Sequence, residues 1–282
     1  MTLDVPRAWS ELADRLLHRS WRRLVVLGRT DAGKSSFCRY LSGQLAERGL
    51  SVALLDTDLG QKMVGPPACV TLESIGADGR GQLQRIRFVG DTSPVANLLG
   101  VVAAAARLAH MASADRLLVN TSGLVTGAGI ALKRWKLDAL DPDHVVAIAW
   151  GDELDPILAP LPRVSVHQLR PSSSARRKSA AVRERNRRDA LLAALGPCRP
   201  LALPAAVTEE LLRTPPATDQ LRLCGLADEA GEDRGIGLVR WSDFVEGHQV
   251  WTSLDPADVH RIRLGMALSD LGEVPGPFRR PN

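Results

Sequence analysis

Residues 28–35 have the types and spacing needed to hold a chain of phosphates. They read Gly-Arg-Thr-Asp-Ala-Gly-Lys-Ser, a full match to G-x-x-x-x-G-K-[ST], and we call them the phosphate loop. In such a loop, backbone N–H groups and a helix N-terminus hold anionic oxygens, the lysine reaches the β/γ-phosphates and the serine hydroxyl binds Mg²⁺. The predicted nucleotide-binding residues are Gly28, Thr30, Asp31, Ala32, Gly33, Lys34, Ser35 and Ser36.

Two carboxylates end the next apolar run. Alternate residues of an extended segment point the same way, so Asp56 and Asp58 are predicted to face one site. One carboxylate can bind Mg²⁺ through water, and the other can accept a proton from an attacking hydroxyl. Aspartates at strand ends also cap helices and turns, which is the structural alternative.

A basic segment follows later in the chain. Residues 170–188 hold eight basic residues against one glutamate, a net charge of +7 where the whole chain carries +4. Such a segment favours a polyanion partner or a phosphate clamp, and the alternative is a solvated helix face or a basic loop. If 175–195 is a helix, Arg183 and Arg187 share one face, with Arg176 about two turns before. An arginine there could stabilise a phosphoryl group in transfer.

The elements that must position these residues alternate between strands and helices. Short apolar runs predict strands at 23–28, 51–56, 83–89, 116–119, 145–150 and 164–167, and the intervening patterns predict helices at 8–18, from the phosphate loop to about 48, at 95–110 and at 127–138. This order predicts an α/β fold, a mostly parallel sheet with helices on both faces. Its polar clusters, 28–35, 56–61, 90–93 and 120–123, follow strands and predict one site built from four loops.

The character of the chain changes after about residue 198. Prolines interrupt the helical pattern, and short strand-like runs follow at 221–226, 237–241, 250–254 and 259–264. We therefore expect a P-loop domain at 1–200, with a basic lid at 170–195, and a small β-rich domain at 201–282.

Composition argues against several classes of protein: membrane-spanning, secreted, disulfide-bonded and guanine-specific proteins. The most apolar segment, 96–108, is short and carries Asn97 and Arg107, and residues 1–23 lack the apolar stretch of a signal peptide. The four cysteines are widely spaced without a C-x-x-C pair, so we expect neither a metal site nor disulfides, and a cytoplasmic location. The Asn-Lys-x-Asp and Thr-Lys-x-Asp motifs of guanine-specific switches are absent.

Four motifs in order carry a family resemblance. They are Gly28–Ser35, Asp56-Thr-Asp-Leu-Gly-Gln61, Phe88-Val-Gly-Asp-Thr-Ser-Pro94 and Asn120-Thr-Ser-Gly123. With the arginine-rich lid, they resemble the polynucleotide 5′-hydroxyl kinases related to the pre-mRNA cleavage-complex and ribosomal-RNA-processing kinases, in a compact prokaryotic form. The resemblance covers about residues 20–200. It departs at Leu124, where the family often has a tryptophan after the glycine.

The resemblance implies a P-loop NTPase fold and transfer of the γ-phosphate of ATP, or GTP, to the 5′-hydroxyl end of RNA or DNA, with Mg²⁺. It implies four catalytic residues: Lys34, Asp58, Arg183 and Arg188. Ser35 and Asp56 would bind the metal. The nucleic acid would contact Gln61, Thr121, Ser122, Gly123, Arg176 and Arg187. We expect a nucleic acid with a 5′-hydroxyl end as the partner, and neither a membrane nor an obligate protein partner.

Two other functions stay open. One is a nucleotide-dependent binding or assembly ATPase of the same fold without phosphoryl transfer. Leu124, in place of the family's tryptophan, is the residue that favours this alternative. The other is a small-metabolite kinase, which would not need so basic a lid.

Overall fold

The computed structural model describes residues 4–76, 78–159, 164–202, 207–210, 221–240 and 249–268. Their contacts form two compact units, each made of several chain segments. The first unit comprises Met1–Leu59, Val70–Arg85 and Leu98–Lys178, and the second comprises Gly60–Cys69, Ile86–Asn97 and Ser179–Asn282. The division into domains at 1–200 and 201–282 stays a prediction.

The described residues of the first unit form five α-helices and the strands of a largely parallel sheet. Its helices are α1 (Arg7–Leu17), α2 (Lys34–Glu47), α3 (Leu98–Met111), α4 (Ala128–Leu140) and the short α5 (Asp155–Leu158). Its strands are β1 (Arg23–Gly28), β2 (Val52–Thr57), β3 (Cys69–Ile75), β5 (Arg116–Thr121), β6 (His144–Ile148) and β7 (Ser165–Leu169), while β4 (Gly81–Phe88) passes into the second unit. The strand order is β7-β6-β1-β5-β2-β3, parallel from β7 to β2.

The P-loop NTPase fold predicted from the sequence is confirmed. The central strands are buried on both faces, as expected of a parallel sheet covered by helices. Strand β3, antiparallel to β2, was not predicted, because the Gly- and Pro-rich loop before it obscured where it begins. The Trp9, Leu12, Ala13 and Leu16 side chains form the buried face of α1 at helical spacing.

One helical stretch among the described residues, Pro94–Met111, has the length and hydropathy of a membrane-spanning helix, and 28% of it is buried. It is longer than the apolar segment 96–108 singled out in the sequence. Core helices of soluble proteins reach the same length and hydropathy, so composition alone does not assign this stretch to a membrane.

The second unit is the predicted β-rich part together with the lid helix α6 (Ala180–Leu195). Its strands are β8 (Arg199–Ala202), β9 (Val207–Glu210), β10 (Leu221–Ala227), β11 (Asp233–Arg240), β12 (Gln249–Thr252) and β13 (Arg261–Ala267). They pair antiparallel, except that β9 is parallel to β13. The Leu191 and Leu195 side chains of α6 belong to a buried apolar cluster with Phe88, Ile236 and Met266.

The lid helix is shorter than the range 175–195 considered from the sequence. It begins at Ala180, where the Ser179 side chain accepts a hydrogen bond from the Val182 N–H and caps the helix. Arg176 therefore lies outside the helix, and its predicted place two turns before Arg183 on one helical face is wrong.

Candidate active site

The phosphate loop connects β1 to α2 in the conformation that its glycines permit. Gly33, the residue before α2, has φ 98°, and Asp31 has φ 64°. A Cβ at Gly33 would lie 2.8 Å from Cη2 of the buried Trp9 side chain, so only glycine fits between the loop and α1. The first turn of α2 thus presents free N–H groups toward the loop.

Lys34 is buried within the loop. Its Nζ donates a hydrogen bond to the Arg29 carbonyl oxygen at 2.8 Å. Burial lowers the pKa of Lys34, and the Asp58 carboxylate is the largest opposing influence. The cation expected to follow the phosphoryl group therefore lies within electrostatic reach of the predicted general base.

The carboxylates at the end of β2 lie beside β5. The buried Asp56 Oδ1 accepts hydrogen bonds from Asn120 Nδ2 at 3.0 Å and from the Asp58 N–H at 3.1 Å. Asn120 pairs with Val26 of β1 on one side and with Asp56 of β2 on the other. Sequence reasoning did not identify Asn120 as the link between the two predicted halves of the site.

The donor set near Asp56 fits a hydrated Mg²⁺ ion. Within the described ranges, the buried Asn120 Oδ1 has no hydrogen-bond partner, and the half-buried Ser35 lies in the first turn of α2. Oxygen ligands from a serine, one carboxylate, water and substrate phosphates are what Mg²⁺ prefers. No group of three or more His, Cys, Asp or Glu residues capable of holding a metal occurs in the described part of the chain. A P-loop fold implies nucleotide binding with Mg²⁺ in general, and these residues fit it.

Residues 121–123, which we call the clasp, begin at the last residue of β5 and lie against the phosphate loop. Thr121 Oγ1 donates a hydrogen bond to the Val26 carbonyl oxygen at 2.8 Å. A Cβ at Gly123 would lie 2.3 Å from the backbone nitrogen of Thr30 and 2.5 Å from its Cα. The first unit thus brings together the phosphate loop, Asp56, Asp58 and the clasp, as the sequence predicted.

Two buried lysines of α4 hold residues of this site in place, and neither lysine was predicted from the sequence. Lys133 Nζ donates hydrogen bonds to the Ser122 carbonyl oxygen at 2.6 Å and to Ser122 Oγ at 3.0 Å. Lys136 Nζ donates to Thr57 Oγ1 at 2.8 Å. Burial, followed by the charge of Lys136, holds the pKa of Lys133 well below its ordinary value. The available signal was that both lysines lie on the same helical stripe as Leu137 and Leu140.

Most of the other predicted site residues belong to the second unit. Gln61 is in the second unit, where its Nε2 donates a hydrogen bond to the Arg183 carbonyl oxygen at 3.1 Å. The side chains of Arg183 and Arg187 are half-buried and that of Arg188 is exposed. Residues 90–93, the fourth predicted loop, also belong to the second unit. The roles of Gln61, Arg176 and the lid arginines stay predictions.

The basic segment before the lid helix does contact the phosphate loop within the first unit. The Lys178 N–H donates a hydrogen bond to the Asp31 carboxylate at 3.0 Å. Nearby, Trp9 Nε1 donates to the Arg170 carbonyl oxygen at 3.1 Å. The segment 170–178 is therefore hydrogen-bonded both to the phosphate loop and to α1.

A glycine-rich loop between a buried parallel strand and a helix, with a carboxylate at the end of a second parallel strand of the same sheet, defines a P-loop nucleoside triphosphate-binding protein. The family model described as mRNA cleavage and polyadenylation factor CLP1 P-loop matches residues 28–193. The chain belongs to this family.

Several proteins are similar to the chain. A protein of Pyrococcus furiosus named polyribonucleotide 5′-hydroxyl-kinase PF0112 is 31% identical over 67% of this chain and 55% of its own length. The match thus spans about half of that relative. A Thermococcus kodakarensis protein named polyribonucleotide 5′-hydroxyl-kinase TK1956 is 26% identical over 99% of this chain and 97% of its own.

The fold is also similar to a solved structure. A chain in the structure of the wild-type Clp1p–Pcf11p complex superposes with a TM-score of 0.68, covering 91% of this chain and 78% of that one. The sequences are 11% identical, so this likeness concerns the fold alone.

Proposed function

We propose that this protein is a polynucleotide 5′-hydroxyl kinase that transfers the γ-phosphoryl group of ATP to the 5′-hydroxyl end of RNA. The observation that carries the proposal is the convergence of the phosphate loop, the Asp56–Asp58 pair and the clasp at one edge of the sheet. Gly123 lies against Thr30, and Asn120 joins β1 to Asp56. A donor phosphate, a base and an acceptor-side loop are the parts that such a transfer requires.

The chemistry follows from these positions. The 5′-hydroxyl oxygen forms a bond to the γ-phosphorus as the bond from that phosphorus to the β–γ bridging oxygen breaks, and the nucleoside diphosphate leaves. Asp58 accepts the hydroxyl proton. Lys34 leaves its hydrogen bond to the Arg29 carbonyl oxygen and stabilises the negative charge on the transferring group. When bound through Ser35 and Asp56, Mg²⁺ would neutralise phosphate charge.

RNA is the proposed acceptor because two similar proteins are named polyribonucleotide 5′-hydroxyl-kinases. The match covers 97% of one of these relatives and 55% of the other. The basic lid supports a polyanionic acceptor, since arginine binds phosphate in a bidentate manner. Arg183 and Arg188 are the arginines that we propose for the transferring phosphoryl group. Gln61, Arg176 and Arg187 are proposed to contact the acceptor.

A second candidate function rests on Leu124. This residue stands where the resemblance leads one to expect a tryptophan for base stacking at the acceptor end. A protein that binds ATP as a switch for assembly, without transfer, would tolerate that change.

The test is transfer of labelled γ-phosphate to 5′-hydroxyl RNA and DNA oligonucleotides of matched sequence, with ATP and with GTP. The proposal expects labelled RNA, and no label with Lys34→Ala. Nucleotide binding without transfer to any acceptor would overturn the proposal and support the assembly function.

A further inference from the structure

A series of hydrogen bonds joins α4 to the end of β2, at the residue between the two aspartates of the site. Lys136 Nζ donates to Thr57 Oγ1 at 2.8 Å, and Thr57 Oγ1 in turn donates to the Asn120 carbonyl oxygen at 2.8 Å. Both side chains of the first bond are buried, with Lys136 1% and Thr57 0% exposed. Because Thr57 stands between Asp56 and Asp58 in the sequence, the series ends where the spacing of the two carboxylates is determined.

This series holds β2 from the face opposite the Asp56 carboxylate. Neighbouring residues of a strand project from opposite faces of the sheet, so Thr57 faces α4 and Asp56 faces the other side. Asn120 contacts both residues, because its carbonyl oxygen accepts from Thr57 and its Nδ2 donates to Asp56 Oδ1 at 3.0 Å. Asp56 Oδ1 also accepts a hydrogen bond from the Asp58 N–H at 3.1 Å. The position of Lys136 therefore bears on both carboxylates.

A lysine at position 136 is unfavourable for folding. Burial is the main reason that the pKa of Lys133 lies well below its ordinary value, and the charge of Lys136 is the next. Two lysine side chains, three residues apart on one helix, are thus buried within electrostatic reach of each other. Apolar side chains of similar volume would pack α4 against the sheet without this desolvation and repulsion. Packing of the helix therefore does not account for Lys136, whereas orientation of Thr57 does.

We propose that Lys136 is a positioning residue for phosphoryl transfer, which acts through Thr57 to fix the relative positions of the Asp56 and Asp58 carboxylates. The proposal rests on the proposed function, because it takes Asp56 as the metal ligand and Asp58 as the base. It adds a residue of α4 that is too deeply buried to touch either substrate. Such support matters for the rate, because a displacement of about 1 Å can cost about 100-fold.

The test uses variants that separate stability from positioning. Lys136→Met removes the group that donates to the Thr57 hydroxyl, and Thr57→Val removes an acceptor of the Lys136 ammonium, so both single variants should be less stable than the parent. The double variant Lys136→Met/Thr57→Val replaces both partners with apolar groups of similar shape. Its midpoint of urea denaturation should therefore return close to that of the parent. Circular dichroism verifies that each variant is folded.

Phosphoryl transfer should not recover together with stability. In the double variant, kcat with a 5′-hydroxyl RNA should stay about 10–100-fold below that of the parent, while the KM for ATP at saturating Mg²⁺ stays close to the parent value. Thr57→Ser, which keeps the hydroxyl, should retain most of the parent kcat. Thr252→Val is the matched control, because Thr252 is also fully buried and its hydroxyl donates to a carbonyl oxygen, that of Ile236, at 3.2 Å. It should lose stability and keep the parent kcat.

A second measurement does not depend on transfer. Calorimetry gives the Mg²⁺ concentration at which ATP binding is half-maximal. This concentration should rise about tenfold or more in the double variant, because Asn120, the partner of Asp56, loses its hydrogen bond from residue 57. It should stay at the parent value in Thr252→Val.

A double variant with both the stability and the kcat of the parent would overturn the proposal, because Lys136 would then only hold α4 in place. An equal loss of kcat in Thr252→Val would also overturn it, since the rate would then follow general stability. Failure of the kinase function is distinguishable, because it would appear as absent transfer in the parent protein. The Mg²⁺ titration then decides the positioning role by itself, and equal titrations in the parent and the double variant would refute it.

Discussion

Gly123 of the clasp touches the backbone of Thr30 in the phosphate loop: a Cβ added to the glycine would lie 2.3 Å from the Thr30 nitrogen. A backbone atom cannot rotate away as a flexible side chain can. The phosphate loop and the clasp therefore hold each other in place, and no side chain larger than hydrogen fits between them.

Gly123→Ala is expected to displace the phosphate loop. A misplacement of about 1 Å near a reacting group can cost about 100-fold in rate, so a loss of that order is expected in phosphoryl transfer. Gly43→Ala is the matched control, because nothing lies within 4 Å of a Cβ at Gly43 in α2, and alanine favours the helix. Steady-state kinetics on both variants tests this, and equal activity in the two would contradict the contact.

Lys133→Met should destabilise the protein and weaken the clasp. The change removes both hydrogen bonds to Ser122 and leaves buried polar atoms unsatisfied, which costs about 1–3 kcal/mol. Urea denaturation measures the free energy of unfolding. Lys62→Met is the control at a lysine that is not fully buried. A variant as stable as the parent would show that Ser122 does not depend on Lys133.

The same variant should change how stability depends on pH. Because the pKa of Lys133 is held well below its ordinary value in the folded protein, the unfolded chain binds more protons between the two values. Stability of the parent should therefore rise with pH across that interval, relative to Lys133→Met. Unfolding free energies measured at neutral and at alkaline pH provide the comparison, and parallel pH curves would refute a lowered pKa.

Trp9→Ala should be strongly destabilising although the residue lies outside the phosphate loop. The buried indole packs edge-on against Phe37, with ring centroids 5.4 Å apart, and touches the Gly33 position. Removing a buried aromatic side chain costs about 3–5 kcal/mol. Thermal unfolding should show a large drop in Tm, and ATP binding should weaken with it. Trp150→Ala, at an exposed tryptophan, should leave the Tm nearly unchanged.

Asp56→Asn should raise the Mg²⁺ requirement of the reaction. The carboxylate already accepts hydrogen bonds from Asn120 and from the Asp58 N–H, so its orientation is fixed. Loss of a residue that orients or holds a metal reduces metal affinity about 10–100-fold. The Mg²⁺ concentration for half-maximal activity should increase accordingly, while the KM for the oligonucleotide stays close to that of the parent. An unchanged Mg²⁺ titration would remove Asp56 from the metal site.

The sequence was most informative at short motifs whose residue types and spacing determine the local backbone structure. The phosphate loop and Asp56 were predicted because glycine, lysine and carboxylate at those spacings have few structural solutions. The clasp was predicted as part of a polar cluster after a strand, and its role was implied by the family resemblance. Lys133 and Lys136 were missed, and the hydrogen bond from Asn120 to Asp56 was not predicted, since these roles depend on which side chains each residue meets across the sheet and helix. The lid helix begins at Ala180 and not at residue 175, because Ser179 caps it. Strand β3 was not predicted, because the Gly- and Pro-rich loop before it gave no signal of where the strand begins.

The most direct test of the account is the fate of the γ-phosphate. The protein is incubated with γ-labelled ATP, Mg²⁺ and a 5′-hydroxyl RNA, and the RNA is then digested to locate the label. We predict label on the 5′-terminal nucleotide, a loss of about 100-fold or more with Asp58→Asn, and full activity with Asp138→Asn at an exposed position of α4. Label found only as inorganic phosphate or remaining in ATP would contradict it.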